Sequence, residues 1–401
     1  TLSSGCYQGT AFMLMPSAVG ESGISPNEPI AVEIGDEVAI AATETTTRKF
    51  LGFEYRGEIV PGTTYKVVID GTSDSYGVKA LYSTNWYVNP TAEYSDSNTG
   101  WSAAEARRTL AGAFKYVRPG DVVHAAEGVY EENEVRQTAA VYSQPVDDYI
   151  ASRVIVPDGV VLMADGDAAK TIIKGHDDRE TTVQHVSSMF YLGPKSVRCA
   201  IVGANAKLCG FTLLNGSTSY EKTTYELQND NTVGGAVLAY GTSFVEDCVL
   251  SNCTGFIGTA FRGNYVRCRF LHCAALDRGG AGSQLTAYGC YVNECFDVPF
   301  SELNGMYNTT IGPVCNLWFG TGPVGRLVSE NTTSVFRNNL ILARTTEREP
   351  IKYPNCQNNV VSEDAHSFGF ADDGVGNKVY PASQLPVDSE GRPQEGSLAI
   401  D

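Results

Sequence analysis

Two hydrophobic rhythms divide this chain. Between residues 29 and 85, apolar and polar positions alternate in short runs: Ile30-Ala-Val32-Glu-Ile34, Val38-Ala-Ile40, Phe50-Leu-Gly-Phe53, Tyr65-Lys-Val67-Val-Ile69 and Val78-Lys-Ala-Leu-Tyr82. Gly35-Asp36, Pro61-Gly62 and Asp70-Gly71 punctuate them. Period-two alternation broken by turn residues predicts a small all-β module. Residues 1–28 are small, polar and glycine-rich, and read as an extended arm. From Trp86 the pattern changes. Tyr87-Val-Asn89 predicts a strand, and Ser102-Ala-Ala-Glu105 has the form of a capping box. Behind it Ala106, Leu110, Ala113, Phe114 and Val117 recur at helical spacing until Pro119-Gly120. Asp121-Val-Val-His124 and Gly128-Val-Tyr130 return to strand.

Further on, the pattern repeats. Phe244-Val-Glu-Asp-Cys248-Val-Leu-Ser-Asn-Cys253, Tyr265-Val-Arg-Cys268-Arg-Phe-Leu-His-Cys273 and Ala287-Tyr-Gly-Cys290-Tyr-Val-Asn-Glu-Cys295 share Cys-x4-Cys. Their first cysteines lie 20 and 22 residues apart, near the length of one solenoid coil. The register extends to Gly210 upstream and to Asn308, Asn339 and Asn359 downstream. Equivalent positions of successive coils stack about 4.8 Å apart, so a column Gly, Cys, Cys, Cys, Asn, Asn, Asn is expected. Stacked asparagines can bond along such a column, and free cysteines pack there as small hydrophobes. The strand before each repeat carries Gly-x-Ala at Gly234, Gly258 and Gly279, and sets out an outward column Leu238, Arg262, Ser283, Glu302.

The order of strand, Asn98-Thr-Gly100-Trp-Ser102 loop, helix, Gly-Asp-Val-Val strand and Gly-x-Tyr turn resembles the N-terminal cap of right-handed parallel β-helix proteins of the pectate-lyase-like group. The closing Asp388-Ser-Glu-Gly391-Arg392-Pro393 and Gly396-Ser-Leu-Ala-Ile400-Asp401 resemble the end of bacterial β-helix domains. A cap is needed because the first coil would otherwise expose strand edges and an open core. Phe50-Leu51-Gly52-Phe53 is similar to the centre of small repeat modules of bacterial surface proteins. The expected fold is all-β: an arm (1–28), a small β module (29–85), and a right-handed parallel β-helix (86–401) capped by about 86–135.

Composition trims the functional options. The 401 residues carry a formal charge of −17, with no basic block, which argues against phosphate-backbone binding and so against nucleic acid. No apolar run is long enough to span a membrane. The chain begins at Thr1 with no basic segment before Ala11–Met15, and reads as a processed or excised piece. Eleven cysteines leave at least one thiol unpaired within the chain. Buried, reduced columns are the first expectation. Disulfides Cys199–Cys209 or Cys315–Cys356 are the second, and a zinc site fits the coil geometry poorly. No P-loop, dinucleotide fingerprint, Gly-x-Ser-x-Gly elbow or His-Glu-x-x-His motif occurs. His272 reads as structural, and His124 and His366 have no evident partner.

The remaining chemistry lies on the coils. Insertions at 175–198, 216–232 and 344–356 are rich in charge, tyrosine or amides and suit the walls of a groove. Arg262 and Glu302, two coils apart, with Asp277 and Arg278 at the intervening bend, are the candidate catalytic set. Tyr220, Lys222, Tyr225 and Gln284 are candidate substrate contacts. A plain Arg–Glu surface pair is the competing reading of the first set. The β-helix resemblance implies an extracellular or cell-surface, carbohydrate-active protein with a polysaccharide partner. It acts as a monomer or within a larger surface protein, as a polysaccharide lyase first and a glycoside hydrolase next. Lyases of this fold use Lys or Arg as base, often with calcium. Here Asp165-Gly-Asp167, Glu246-Asp247 and Asp372-Asp373 are the acidic clusters available to it. A hydrolase would pair Asp277 with Glu302. The alternative is a non-catalytic adhesin or carbohydrate-binding stalk.

Overall fold

A computed structural model describes residues 12–18, 23–45, 48–91, 93–132, 134–136, 151–178, 192–219, 232–295, 300–312, 335–342, 351–352, 356–363, 368–369, 376–388, 391–397 and 399. The chain divides into two compact units, Thr1–Trp86 and Tyr87–Asp401.

The first unit is an all-β module. The alternating runs become Ile30–Val32, Glu37–Ala42, Phe50–Tyr55, Thr64–Val68 and Ser75–Tyr82. Their inward faces supply Val32, Ile40, Phe53, Val67 and Val78 to one core. The segment read as an arm contributes a strand of its own. Phe12–Ala18 sits between Ile30–Val32 and Ser75–Tyr82 in a five-stranded sheet, burying Phe12 and Leu14. Phe12-Met-Leu-Met15 is apolar throughout, so its in-out alternation does not show in the sequence. Gly52 marks a bulge at φ +138°, where a Cβ would lie 2.6 Å from the Val60 carbonyl. The Phe-x-Gly-Phe centre is therefore a strand bend required by packing.

The second unit is a right-handed parallel β-helix of three sheets. Sheet I runs through Val122–Ala125, Val161–Ala164, Lys207–Cys209, Phe244–Glu246, Asn264–Val266, Thr286–Tyr288, Gly305–Tyr307, Val335–Arg337 and Cys356–Gln357. Sheet II runs from Gly128–Tyr130 through Val249–Ser251, Arg269–Leu271 and Tyr291–Asn293 to Lys378–Tyr380. Sheet III holds Ala151–Val156, Val197–Val202, Val237–Ala239, Ala260–Phe261, Gly282–Ser283 and Phe300–Ser301. Val245, Leu250, Tyr265, Phe270, Ala287 and Val292 point inward and are buried.

At each corner one residue takes the left-handed conformation and the next turns inward. Between sheets I and II the bending residues other than glycine are Asp247, Arg267, Asn308, Asn338 and Asn358, with φ between 50° and 56°. The inward neighbours form the repeat column. The strand register makes it Phe211, Cys248, Cys268, Cys290, Thr309, Asn339 and Asn359, and Asn377 extends it. Gly210 and Asn308 thus belong to the bending slot, one residue earlier than expected. Glycine and asparagine tolerate positive φ, so the bending slot resembles the inward one in sequence. The second cysteine column, Cys253, Cys273 and Cys295, follows Asn252, His272 and Glu294 in the same way.

All six repeat cysteines are free and buried. Cys199 and Cys209 also carry free thiols, so the expected disulfide between them is absent. Cys315 lies outside the described residues. The Gly-x-Ala reading slips by one in its middle copy, because Ala236, Thr259 and Ala281 are the residues that stack.

The cap differs from the expected single helix. Ser102 makes no side-chain cap, and Ala103–Glu105 is a 3₁₀ turn. Arg107 instead pairs with Val88 as an extended residue, exchanging backbone bonds with Tyr87 and Asn89. The α-helix is Leu110–Phe114, capped by Thr109, whose hydroxyl accepts from the Gly112 amide at 2.9 Å. Pairing on the strand edge prevailed over helix propensity across Ala106–Arg108. At the other end, the Asp388 carboxylate accepts from the Arg392 backbone and side chain. Gly391 at φ +76° leaves no room for a Cβ, which would come within 2.0 Å of Tyr291. Leu385 and Val387 pack with Leu340, Leu342 and Val360 of sheet II.

Candidate functional site

The faces of the β-helix differ in what covers them. The outward column of sheet III, Ile201, Leu238 and Phe261, is buried beneath Val233, Phe256 and Ile257. Phe256 and Ile257 belong to Thr254–Ile257, which pairs in parallel with Ala274–Arg278 as an outer layer. The last coils of sheet II carry the C-terminal segment. The outer face of sheet I keeps large side chains accessible, with Phe244 and Tyr288 each 38% exposed.

The floor of that face follows from register. Lys207, Phe244, Asn264, Thr286 and Gly305 form one outward column, and Cys209, Glu246, Val266, Tyr288, Tyr307 and Arg337 the other. The Tyr288 and Tyr307 rings stack 5.0 Å apart and 7° from parallel. Gly305 permits this: a Cβ there would come within 2.7 Å of the Tyr307 ring. Lys207 pairs with Glu246 at 3.0 Å. Arg267 grips Asp247 through two bonds of 2.7 Å, which holds its guanidinium still more firmly protonated.

The sequence-predicted Arg262, Gln284 and Glu302 come together along one edge of this face. Strand pairing puts Phe261, Ser283 and Ser301 in one column, so Arg262 stands level with Gln284 and Glu302, and not with Ser283. All three take the left-handed bend between sheets III and I, at φ 60°, 56° and 49°. The Arg262 Nε donates to the Gln284 Oε1 at 3.3 Å. The Gln284 Nε2 donates to the Glu302 Oε2 at 2.7 Å. One neutral amide therefore separates the cation from the carboxylate. All three residues are half-buried, whereas Asp247, Arg267 and His272 at the other corners are exposed.

Asp277 and Arg278 end the strand Ala274–Arg278, where Arg278 pairs with Ile257, and their side chains lie outside the described residues. Tyr220, Lys222 and Tyr225 lie wholly outside them. Sequence reasoning missed several partnerships. His124 bonds the Asp165 carboxylate at 2.7 Å and stacks on Tyr87 at 5.0 Å. His272 stands exposed at a corner, 2.6 Å from Glu294. A column of like corners across coils would have exposed that second pair in the sequence.

The acidic clusters among the described residues do not fit calcium. Cys209, Glu246 and Asp247 converge within 4.8 Å. That set offers a thiol, pushed up by burial and the two carboxylates, and carboxylates already bound by Lys207 and Arg267. Calcium takes six or more oxygens. Asp165 is engaged by His124, and Asp167 accepts from the Ala169 amide at 2.9 Å. Asp372 and Asp373 lie outside the described residues.

No family model matches the chain. No curated protein matches it in sequence. Among solved structures it is similar to a GH136 lacto-N-biosidase from Eubacterium ramulus, in native and selenomethionine forms. Each likeness has 9% identity and a TM-score of 0.28, over 74% of this chain and 68% of that chain. A likeness of that size leaves the chemistry of this chain open. Among the described residues no helix is long and apolar enough to cross a membrane.

Proposed function

We propose that this chain is a carbohydrate-active protein that engages a polysaccharide along the outer face of sheet I, beside the Arg262–Gln284–Glu302 edge. The observation that carries the reading is that edge. Three polar side chains from three successive coils are joined, half-buried, and set against a face bearing Phe244 and Tyr288. Aromatic rings offer the apolar faces of sugars a contact, and the amides offer bonds to hydroxyls. Kinship with pectate-lyase-like proteins and a place outside the cell or on its surface belong to the same reading.

Two chemistries compete on this edge. Elimination on a uronate needs a cation and a base on one sugar ring. Gln284 stands between Arg262 and Glu302 and bonds to both. Hydrolysis needs carboxylates about 5–9 Å apart. Glu302 supplies one, oriented by Gln284, and Asp277 is the candidate for the other. The two chemistries are told apart by their products. Incubation with a panel of polysaccharides, read for new reducing ends and for the absorbance of unsaturated products, tests this. Glu302→Gln is expected to remove about a hundredfold or more of the rate. Full activity of Glu302→Gln would end the catalytic assignment.

A non-catalytic stalk or adhesin is the second reading, favoured by one observation. The same bending geometry stacks Asp247 on Arg267 and His272 on Glu294, where the pairs tie neighbouring coils. Binding without any product in either assay would select it.

A further inference from the structure

We infer that the glycan accommodated by the sheet I face is uncharged. This rests on the reading of that face as the polysaccharide surface, and it names the class of polymer. The argument is charge complementarity. Three of the cations along the face are already engaged, and Arg337 stands exposed at its far end. Lys207 contacts Glu246 at 3.0 Å, and Arg267 holds Asp247 through a two-pronged contact. Arg262 donates into the Gln284 amide, which passes the interaction on to Glu302. A polyanionic chain laid here would meet Glu246, Asp247 and Glu302 at the same coils as those cations. It would have to break a bidentate pair to reach Arg267.

What the face offers freely suits hydroxyl groups and sugar rings. Phe244 and Tyr288 are each 38% exposed. Asn264 and Asn304 each give an amide hydrogen to a backbone carbonyl, of Ser243 at 3.2 Å and of Gln284 at 3.1 Å, which fixes their side chains in place. Their amide oxygens are acceptors for sugar hydroxyls. The net charge of −17 adds a long-range field that opposes an incoming polyanion.

Affinity electrophoresis of the full chain tests this in gels containing neutral galactomannan, xylan or dextran, and in gels containing polygalacturonate, alginate or heparin. Each is run at low salt and at about 0.5 M salt, where charges more than a few ångströms apart are screened. The expected result is retardation by a neutral polymer, unchanged by salt, and weakened about tenfold by Tyr288→Ala. The double variant Glu246→Gln, Asp247→Asn releases Lys207 and Arg267. It should gain salt-sensitive retardation by polygalacturonate that the parent lacks. Tighter, salt-sensitive binding of the parent to a polyanion would overturn the uncharged assignment and leave the polysaccharide face standing. Retardation by neither class would overturn both.

Discussion

The inward column between sheets I and II has two halves that do one job with different chemistry. Cys268 and Cys290 donate their thiol hydrogens to the carbonyls of Val245 and Tyr265 one coil earlier, at 3.2 and 3.4 Å. Asn339 and Asn359 donate their amide hydrogens to the equivalent carbonyls of Met306 and Phe336, at 2.9 and 3.1 Å. The asparagines do more. The Asn359 Oδ1 also accepts from the backbone and side-chain nitrogens of Asn339, at 3.0 and 2.9 Å. Thr309 joins the halves: its amide donates to Asn339, and its hydroxyl accepts from the Cys290 amide. A thiol is a weak donor with an apolar body, so the cysteine half is held mainly by packing. The amide half is a directional chain that loses several partners when one member is removed. Outside the inward residues sit the bending ones, either glycine or a residue with an exposed side chain such as Asp247 and Arg267, which gives a third term of comparison.

These differences predict a ranking. Asn359→Ala should be the most damaging, because it takes the acceptor from the buried Asn339 amide and removes a bond to each of Phe336 and Asn377. A loss of about 3 kcal/mol is expected in denaturant unfolding. Asn359→Thr, the residue type found in this column at Thr309, should recover part of it. An alanine cost below that of the cysteine half would break the contrast.

Cys268→Ala removes a weak donor and leaves a small void, and should cost about 1–2 kcal/mol.

The cysteine half should also respond to alkali. Burial pushes the Cys248 thiol up to about 12. A raised native value means the neutral thiol is favoured in the fold. Its stabilising contribution is complete below the unfolded value of about 8.5 and is lost as pH climbs toward 12. Urea midpoints followed across that window should fall, and the fall should be smaller in Cys248→Ala. An identical fall in the variant would remove the thiol from the explanation.

The smallest effect belongs to the exposed bend. Asp247→Ala breaks a two-pronged pair with Arg267, yet both side chains are well exposed, at 45% and 58%. A cost below about 1 kcal/mol is expected, shrinking further in salt.

Much of this was legible in the chain. The Cys-x4-Cys period reports the coil because a solenoid repeats one environment at each turn. The strands of the first module follow their alternation. Legibility failed by single residues. Gly210 and Asn308 were assigned to the inward slot, and Arg262 to the level of Ser283, because adjacent corner slots accept similar residues. The helix was placed too early, because a capping box is local and the edge of the Asn85–Val88 strand is not. Arg262 and Glu302 were grouped with Asp277 and Arg278, and Gln284 was named apart as a substrate contact, so its place between them was not legible.

By itself, then, the sequence determined the all-β character, the coil length, the thiol and asparagine columns and the closing turn. Each of these repeats or is local, so short-range chemistry specifies it. Only the tertiary structure decided the register to the residue, the partners of His124, Glu246 and Asp247, and which face stays open. Those depend on hydrogen bonds between strands some twenty residues or more apart and on which segments fold back over a sheet. No local pattern encodes either.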